Sequence, residues 1–501
     1  MSVDRRMLLK LGTLSGAGLA AGCNDAPAWN LLARRLESQP QPQSLTVPSG
    51  SEVDLPAHVL NRLGYGWRPG DLDRVRTMGV DEYIEEQLAP QQIQDTACDV
   101  RAERFDSLEA SAGDMFEYRR QVVERELFRH TMLRAVYSRR QLFESMVNFW
   151  TDHFNISIGK SDCAWFKTVD DREVIRPHAL GNFRDLLRAS ALSPAMLVYL
   201  DGKDNRKTDG SDAPNENYAR ELLELHTLGV HGGYTQQDVM QAARCLTGWT
   251  INNKWFRGRV EFRQGQHDDG AKRVLGVDIP AGQGERDLDQ LLEIVVRHPS
   301  TAQYLATKLC RRFVGDQPST ELIEHVAVTF GQQDYELTPT LRAIFASEEF
   351  RNARSTRLKR PFRFVASALR ALDADTDGAE RLYEWLQRMG HAPFNYPTPD
   401  GYPDEPSPWL GTLLWRWNFS LELTANRIGG TRVNVRDLAR RFSVKEPAAE
   451  RAGEVAAYLL GRRPSTDELA ALQELPSESS SDSNAPLMAA LVLASPSFQR
   501  Y

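Results

Sequence analysis

The polar side chains best placed for chemistry lie in residues 215–229, near the middle of the chain. Asn217, Glu221 and Glu224 recur there at spacings of four and three, so an α-helix would place them within about 60° of one another, with Arg220 alongside. Two carboxylates that share a site separate their pKa values, which suits general acid–base catalysis. We therefore predict Glu221 and Glu224 as catalytic residues and Asn217 and Arg220 as substrate-binding residues. The alternative is a solvated helix face crossed by local charge pairs.

A further catalytic candidate is His153, which shares a helical stripe with the apolar residues Leu142, Met146 and Phe149. A histidine on such a face needs a polar partner, because burying its ring nitrogens unpaired costs free energy. If one of the two predicted catalytic carboxylates is that partner, His153 becomes part of a reactive pair. The alternative is a structural hydrogen bond. His226 falls on the apolar side of its own segment, where we expect a buried, hydrogen-bonded histidine.

Other candidates lie in segments rich in turn residues. These are His178, Asp201 and the His-Asp-Asp run at 267–269. We assign His178 to substrate binding, although surface loops routinely hold such residues. Trp409 follows the Pro- and Gly-rich loop 397–403, and rigid loops edged by Trp and Tyr can stack on a sugar or bind a peptide. Trp409 is therefore a predicted substrate-binding residue, with core filling as the alternative.

Several familiar motifs are missing from the mature sequence. It has no G-x-S-x-G elbow, H-E-x-x-H helix, Walker loop or dinucleotide-binding glycine pattern. The five cysteines include no C-x-x-C pair, and the four beyond position 23 could form zero, one or two disulfide bridges. The Glu-x-x-Glu spacing is not the Glu-x-x-His motif of carboxylate-bridged metal bundles. The sequence leaves open whether a divalent metal is bound as a cofactor, and it identifies no ligands for one.

The elements that must position these residues are mainly α-helical. From residue 54 onward, apolar residues recur at threes and fours with few breakers, which predicts packed helical hairpins. We assign a helical core domain that carries the candidate site to residues 54–300, and a helical C-terminal region to 301–501. Gly, Asn and Asp cluster between residues 249 and 283 and predict one small loop or β-hairpin insertion.

The C-terminal region contains an internal repeat. The sequence GDQPST at 315–320 recurs as GRRPST at 461–466, and the copies end alike, in ASEEF at 346–350 and ASPSF at 494–498. In such a turn Gly closes one helix in a left-handed conformation, Pro fixes the turn, and Ser or Thr caps the next helix. We predict repeated helix-turn-helix units that stabilise the fold.

The first 22 residues predict an export signal. Arg5 and Arg6 precede a short run of Leu, Ala and Gly, a pattern that resembles the signals read by the twin-arginine translocase. The run ends in Ala-Ala-Gly before Cys23, which resembles a bacterial lipoprotein box with Cys23 as the lipid anchor. Cleavage without lipid and an amphipathic helix of a cytosolic protein are the alternatives. Residues 23–53 are rich in Gln, Pro and Ser and predict a flexible tether.

Composition narrows the classes of function. The 501 residues carry 61 basic and 68 acidic side chains, a net charge of −7, so the chain offers no overall field that would attract nucleic acid. After residue 22 no apolar run approaches the roughly 20 residues that span a bilayer. We therefore expect a folded, periplasmic or cell-surface protein tethered to the membrane by lipid at Cys23.

Several motifs of this chain resemble a large bacterial family, the domain of unknown function 1800. The matching segments occur in the family's order and cover nearly all of the mature chain: 58–66, 148–155, 175–183, 215–229, 243–249, 359–362 and 397–403. The resemblance implies an exported, largely helical protein, often encoded beside a second exported family that is distantly sulfatase- and phosphatase-like. A partner of that kind is therefore implied, whereas no activity is.

Two functions fit these features. The first is a hydrolase that acts on an envelope or environmental polymer through the carboxylate pair. The second is a non-enzymatic scaffold or assembly factor for an exported partner, which the repeated helical units and the missing catalytic motifs favour.

Overall fold

The computed structural model describes residues 26–37, 42, 44–207, 214–252, 257–442, 448–473 and 481–501. The predicted signal peptide and Cys23 lie outside the described residues. Helices dominate the described chain, which confirms the mainly α prediction. None of its helices combines the length and the apolar character needed to cross a bilayer.

Most helices are short and bury one face against their neighbours. In chain order the α-helices are α1 (Ala26–Leu36), α2 (Leu55–Leu63), α3 (Asp71–Met78), α4 (Val80–Leu88), α5 (Thr96–Ala102), α6 (Arg120–Tyr137), α7 (Gln141–His153), α8 (Cys163–Asp170), α9 (Arg176–His178), α10 (Phe183–Ala191), α11 (Pro194–Tyr199), α12 (Asn217–Glu221), α13 (Gln236–Cys245), α14 (Arg286–Arg297), α15 (Pro299–Phe313), α16 (Thr320–Gln332), α17 (Leu337–Ala346), α18 (Glu348–Asn352), α19 (Pro361–Ala371), α20 (Glu380–Arg388), α21 (Ser407–Leu410), α22 (Leu413–Thr424), α23 (Val435–Arg440), α24 (Ala448–Leu460), α25 (Thr466–Gln473) and α26 (Ser481–Ala494). Short 3₁₀ turns occur at Pro90–Gln92, Asp106–Glu109, Asp114–Glu117, Gly202–Asp204 and Gln264–Gln266.

Two of the helices continue as π-helices, a form that is rare and frequently found at functional sites. Asp171–Ile175 extends α8, and Leu222–Thr227 extends α12. The second of these lies within the stretch that carries the predicted catalytic carboxylates. The sequence pattern assumed one continuous α-helix there, so the relative angles of the side chains beyond residue 221 differ from the prediction.

Among the described residues the strands form three two-stranded antiparallel ribbons. They are β1 (Trp249–Ile251) with β2 (Val260–Phe262), β3 (Lys272–Val274) with β4 (Val277–Ile279), and β5 (Asp375–Thr376) with β6 (Thr431–Arg432). The first two ribbons confirm the small β insertion predicted between residues 249 and 283. The third joins segments more than 50 residues apart, and no local sequence pattern predicts it.

A buried charge cluster fixes the insertion to the helical body. The Nε2 atom of His267 lies 3.0 Å from a carboxylate oxygen of Asp287 in α14, and Lys272 donates to the same oxygen. All three side chains are fully buried. The candidate histidine at 267 therefore has a structural role here, because it is closed off from any substrate.

The predicted flexible tether at 23–53 is wrong where the structure describes it. Residues 26–36 form α1, which packs against α5 and buries Asn30 and Ala33. Further along, the Leu45 backbone donates to Arg441 O, and Leu45 and Val53 are buried. The Gln- and Pro-rich composition concealed an amphipathic spacing of Trp, Leu and Ala in this short helix.

The internal repeat is confirmed as a repeated local structure. Ser319 caps α16 by accepting from the Leu322 backbone, and Ser465 accepts in the same way from the Glu468 backbone in the second copy. Each copy then runs into a further helix and ends in another serine cap. The left-handed glycine predicted for both copies occurs only in the second, at Gly461 with φ +70°.

One continuous cluster of buried apolar side chains includes residues from both predicted regions, 54–300 and 301–501. Around it, α15 packs against the second π-helix, and α12 packs against α13. The C-terminal end of α7 reaches the same place, where His153 contacts the backbone of the π-helix. These elements position the candidate site.

Candidate active site

The two predicted catalytic carboxylates lie on either side of the α-to-π transition, and both are half-buried. The side-chain oxygen of Asn215 accepts a hydrogen bond from the Asn217 backbone, 3.0 Å away, where the helix begins. Burial, followed by the charge of Glu224, raises the pKa of Glu221. Glu221 therefore keeps its proton to higher pH than an ordinary glutamate.

Glu224 is held by a phenol from the segment that precedes α13. The hydroxyl of Tyr234 donates to Glu224 Oε2 at 3.0 Å. A capping box between Thr235 and Asp238 fixes the start of α13 immediately after this tyrosine. Burial and the bond to Glu224 raise the pKa of Tyr234 to about 12, so the phenol stays protonated at neutral pH. The two carboxylates thus have different surroundings, as acid and base roles require.

The predicted substrate-binding residues of the same helix also lie at its surface. Asn217 is exposed, and its amide donates to Leu200 O and to Asp201 Oδ2, both at 3.2 Å. Arg220 is half-exposed and donates to Glu216 at 3.2 Å. Asp201, a candidate from the sequence, is thereby brought to this site. It has a left-handed φ of +58°, a conformation that costs a non-glycine residue energy and is enriched at functional sites.

The predicted pairing of His153 with a carboxylate is wrong. His153 is buried, its Nε2 atom lies 3.1 Å from the His226 carbonyl oxygen, and its Nδ1 atom lies 3.0 Å from Lys308 Nζ. A carbonyl can only accept, so Nε2 carries the proton and Nδ1 accepts from the lysine. Burial and the charge of Lys308 lower the pKa of His153 well below its usual value. The neutral ring is a structural hydrogen-bonding group.

His226 is fully buried, as expected, but its ring is not hydrogen-bonded. Both ring nitrogens lack a hydrogen-bond partner among the described residues. Burial, followed by the charge of Lys308, lowers the pKa of His226 to about 3. The ring instead packs between aromatic neighbours, with the Phe154 centroid 5.0 Å away and the Tyr218 centroid 6.2 Å away.

Lys308 is a site residue that the sequence reasoning missed. Burial lowers its pKa, while the carboxylates of Asp404 and Asp152 act in the opposite direction. Tyr304, one turn earlier on α15, lies beneath it, with the lysine nitrogen 5.4 Å from the ring centroid. The sequence contains a pattern that could have identified it. Lys308 follows Leu305 by three residues, so it lies on a stripe of α15 whose other residues are mostly buried. A cation within a buried stripe indicates a specific partner.

A further carboxylate, Asp400, comes from the Pro-rich loop 397–403. Its charge contributes to the raised pKa values of Glu221 and Tyr304. The loop is fixed by Asn155, whose amide donates to Thr398 O at 2.7 Å, and by Tyr199, whose hydroxyl donates to Pro397 O at 2.8 Å. The sequence prediction uses this loop for its aromatic edges and does not include Asp400.

The loop also depends on a close backbone approach. Gly401 has φ +74°, and a Cβ at this position would overlap the carbonyl oxygen of Asp152. Asp152 in turn is bound by Arg360, which donates to its Oδ2 at 2.8 Å. Glycine is therefore required both for the left-handed backbone and for the space.

Trp409 cannot stack against a substrate as predicted. It is only 4% exposed, and its indole nitrogen donates to Pro403 O at 3.1 Å. Its ring packs against His391 and Tyr402, with centroids 5.2 and 5.9 Å away. Core filling, the alternative, is what the structure shows, and Trp409 supports the loop from behind.

His178 is half-buried at the end of the short helix that follows the first π-helix. Burial lowers its pKa, and Asp185 is the charge that acts on it in the opposite direction. No hydrogen bond or ion pair within the described chain joins His178 to the carboxylates. Its assignment to substrate binding therefore stays a prediction.

The described chain contains neither a cluster of potential metal ligands nor a disulfide bridge. No group of three or more His, Cys, Asp or Glu side chains among those residues could hold a metal ion. The four described cysteines, Cys98, Cys163, Cys245 and Cys310, are all free and buried. Of the disulfide arrangements left open by the sequence, the structure has none between these four.

Together these residues offer acid–base chemistry with two cations, Arg220 and Lys308. Glu221 holds a proton to raised pH, Glu224 is a carboxylate fixed by a phenol, and Asp400 adds negative charge. Lys308, fixed by His153, supplies positive charge that interacts with Asp400. Proton donation to a leaving group and activation of water are the reactions such a pair supports.

Comparison with known proteins places the chain by family alone. A family model described as "Protein of unknown function (DUF1800)" matches residues 58–500, nearly the whole chain. No curated protein and no solved structure shows significant similarity to it. The chain belongs to the DUF1800 family of proteins of unknown function.

Proposed function

We propose that this protein is an exported hydrolase that cleaves an envelope or environmental polymer by acid–base catalysis. The observation that carries the proposal is the half-buried pair in which burial and Glu224 raise the pKa of Glu221. In this scheme Glu221 donates a proton to the leaving group. Glu224, oriented by Tyr234, acts as the base or nucleophile.

The surrounding residues bind and orient the substrate. Arg220 and Asn217 lie at the surface beside the pair and face a polymer that approaches from solvent. Lys308 stabilises negative charge that develops as the bond breaks, and His153 positions the lysine. A polar substrate suits a site with four carboxylates, one exposed amide and two cations.

The sequence pattern supports a place for this activity outside the cytoplasm. The twin-arginine signal exports the folded chain, and lipid at Cys23 tethers it to the membrane. A co-encoded sulfatase- or phosphatase-like protein would share the same compartment and act on related polymers.

The test is a pair of isosteric variants, Glu221→Gln and Glu224→Gln, assayed against panels of glycans, esters and phosphate esters. Each variant is expected to lose about 10²- to 10⁴-fold in rate, the contribution of a positioned acid or base. Glu173→Gln is the matched control, because this exposed glutamate lies in the other π-helix and bonds to the adjacent Arg172. It should retain full activity.

Stability separates a catalytic role from a structural one. A raised folded-state pKa means that the contribution of Glu221 to stability is present below the ordinary glutamate pKa and is lost as pH rises through the folded value. Ionised Glu221 therefore costs stability at pH 7, and Glu221→Gln should be at least as stable as the wild type there. A loss of several kcal/mol would make the residue structural. A stoichiometric exported partner without hydrolysis on any panel would favour the scaffold instead.

A further inference from the structure

Helix α22 has two apolar faces, whereas a surface helix normally has one. One face buries Phe419 and Leu423 against the core. The other carries Leu414, Trp417 and Leu421, which are 60%, 47% and 38% exposed. Their spacing of three and four places them on one side of the helix. Within the described chain the Trp417 indole nitrogen donates to Ala494 O of α26 at 3.1 Å, and the apolar parts of the three side chains remain partly open to solvent.

The exposed face continues beyond these three residues. Leu410, in the short helix that precedes α22, is 54% exposed, and Leu413, next to Leu414, is also exposed. Isolated exposed leucines are ordinary on protein surfaces, but a contiguous apolar patch marks an interaction site. The patch has five residues, far fewer than the 20–30 residues a side of a stable dimer interface.

The C-terminal end of α22 lies close to the first described residues of the chain. Asn426, two residues after the helix, exchanges hydrogen bonds with Val433 at 2.7 and 3.0 Å. The neighbouring Arg432 pairs with Asp375 across the β5–β6 ribbon. Asp375 in turn accepts from the amide of Asn30 at 2.9 Å. Helix α1 and the end of α22 are therefore on the same part of the molecule.

This placement relates the patch to the proposed lipid anchor. Helix α1 begins at Ala26, three residues after Cys23, and three residues span at most about 10 Å. A lipid on Cys23 would therefore enter the bilayer near this end of the molecule. Helix α1 itself exposes Leu31, at 62%, beside the same end.

Exposed arginines surround this end. They are Arg34, Arg35, Arg427, Arg432 and Arg436. Arg34 pairs with Asp375 and Arg427 with Glu422, so part of the positive charge is neutralised locally. Basic residues beside exposed Trp and Leu are the composition of helices that lie in a membrane interface, because anionic headgroups attract the arginines and the apolar side chains enter the boundary with the acyl chains.

We propose that α22 is a membrane-docking helix, whose exposed Leu and Trp face lies in the headgroup boundary of the bilayer to which the chain is tethered. The occupant of the patch is lipid, and α22 turns the globule so that one defined side faces the membrane. The orientation rests on the proposed tether at Cys23, whereas contact between α22 and lipid does not.

Tryptophan quenching by brominated lipid tests the contact. The full chain is incorporated into vesicles of phosphatidylethanolamine and phosphatidylglycerol, with and without bromine on the acyl chains. Bromine is expected to quench the wild-type fluorescence, and Trp417→Phe to reduce the quenched amplitude at least twofold. The control is Trp67→Phe, because Trp67 is buried and should lower the total intensity without changing the quenched amplitude.

A partition measurement supplies the second readout. With Cys23→Ser as background, Leu414→Asp combined with Leu421→Asp should weaken vesicle binding at least tenfold. Val328→Asp alters an equally exposed apolar residue on α16 and should leave binding unchanged.

Two results would overturn the proposal. One is a vesicle-attached wild type whose fluorescence bromine does not quench, since the globule would then be held off the bilayer. The other is efficient disulfide cross-linking of a Leu414→Cys chain to a second copy, since the patch would then be a dimer contact. The proposed tether is tested separately. If the Cys23→Ser chain stays on washed membranes as firmly as the wild type, lipid at Cys23 is not the anchor.

Discussion

Replacing His153 with Phe is predicted to destabilise the fold and to slow hydrolysis per folded molecule only through the loss of the bond that positions Lys308. The phenyl ring suits the site, because His153 already packs among aromatic rings with centroids 4.6–6.3 Å away. Two hydrogen bonds are lost, one to the His226 carbonyl and one from Lys308. An unpaired buried carbonyl costs about 1–3 kcal/mol, and a bond to a charged group contributes about 1.5–3 kcal/mol. The free energy of unfolding should therefore fall by about 3–5 kcal/mol.

Urea unfolding, followed by tryptophan fluorescence, measures this change, and hydrolysis is compared per folded molecule. His153→Gln is the matched variant, because its amide can both donate to the carbonyl and accept from the lysine. It should recover at least half of the lost stability. A His153→Phe protein that unfolds at the wild-type urea concentration but is inactive would refute the reasoning and make His153 catalytic.

Two further variants test the packing around His226 and the position of the loop 397–403. Burial lowers the pKa of His226 to about 3, so stability that is full above pH 6.5 is lost as pH falls toward 3, because the unfolded chain takes up a proton first. His226→Phe should therefore lose less stability between pH 7 and pH 4 in urea titrations, and an unchanged pH dependence would contradict this. Gly401→Ala overlaps the Asp152 carbonyl and should reduce hydrolysis at least tenfold by displacing the loop. Gly411→Ala is its control, because a Cβ added at Gly411 would have no atom within 4 Å. Equal activity of the two variants would contradict the role of the loop.

Local patterns in the sequence predicted the helical class and the insertion because both depend on short-range periodicity. The repeated turns were also visible, since Ser319 and Ser465 cap their helices through neighbours three residues away. Helix α1 was missed because Gln and Pro dominate the composition around it. The β5–β6 ribbon was missed because its strands have two residues each and are far apart in sequence.

The site was predictable in part for the same reason. The polar face that carries Glu221 and Glu224 follows from helical spacing, but the π-helix that begins at Leu222 has no periodic signature. Asp400 comes from a distant segment, so only the folded chain brings its charge to Glu221, and the fold likewise brings Lys308 to His153. The stripe containing His153 was predicted correctly, whereas its partner could not be, because that partner lies 155 residues away.

The central claim is that Glu221 holds its proton to higher pH because of burial and its neighbour Glu224. The direct measurement is a pH titration of the protein labelled with ¹³C at the glutamate carboxyl carbon, with the Glu221 resonance assigned through Glu221→Gln. The pKa of Glu221 is expected to lie above the ordinary glutamate value, and to be lower in Glu224→Gln, where the neighbouring charge is removed. An ordinary glutamate pKa in both proteins would contradict it.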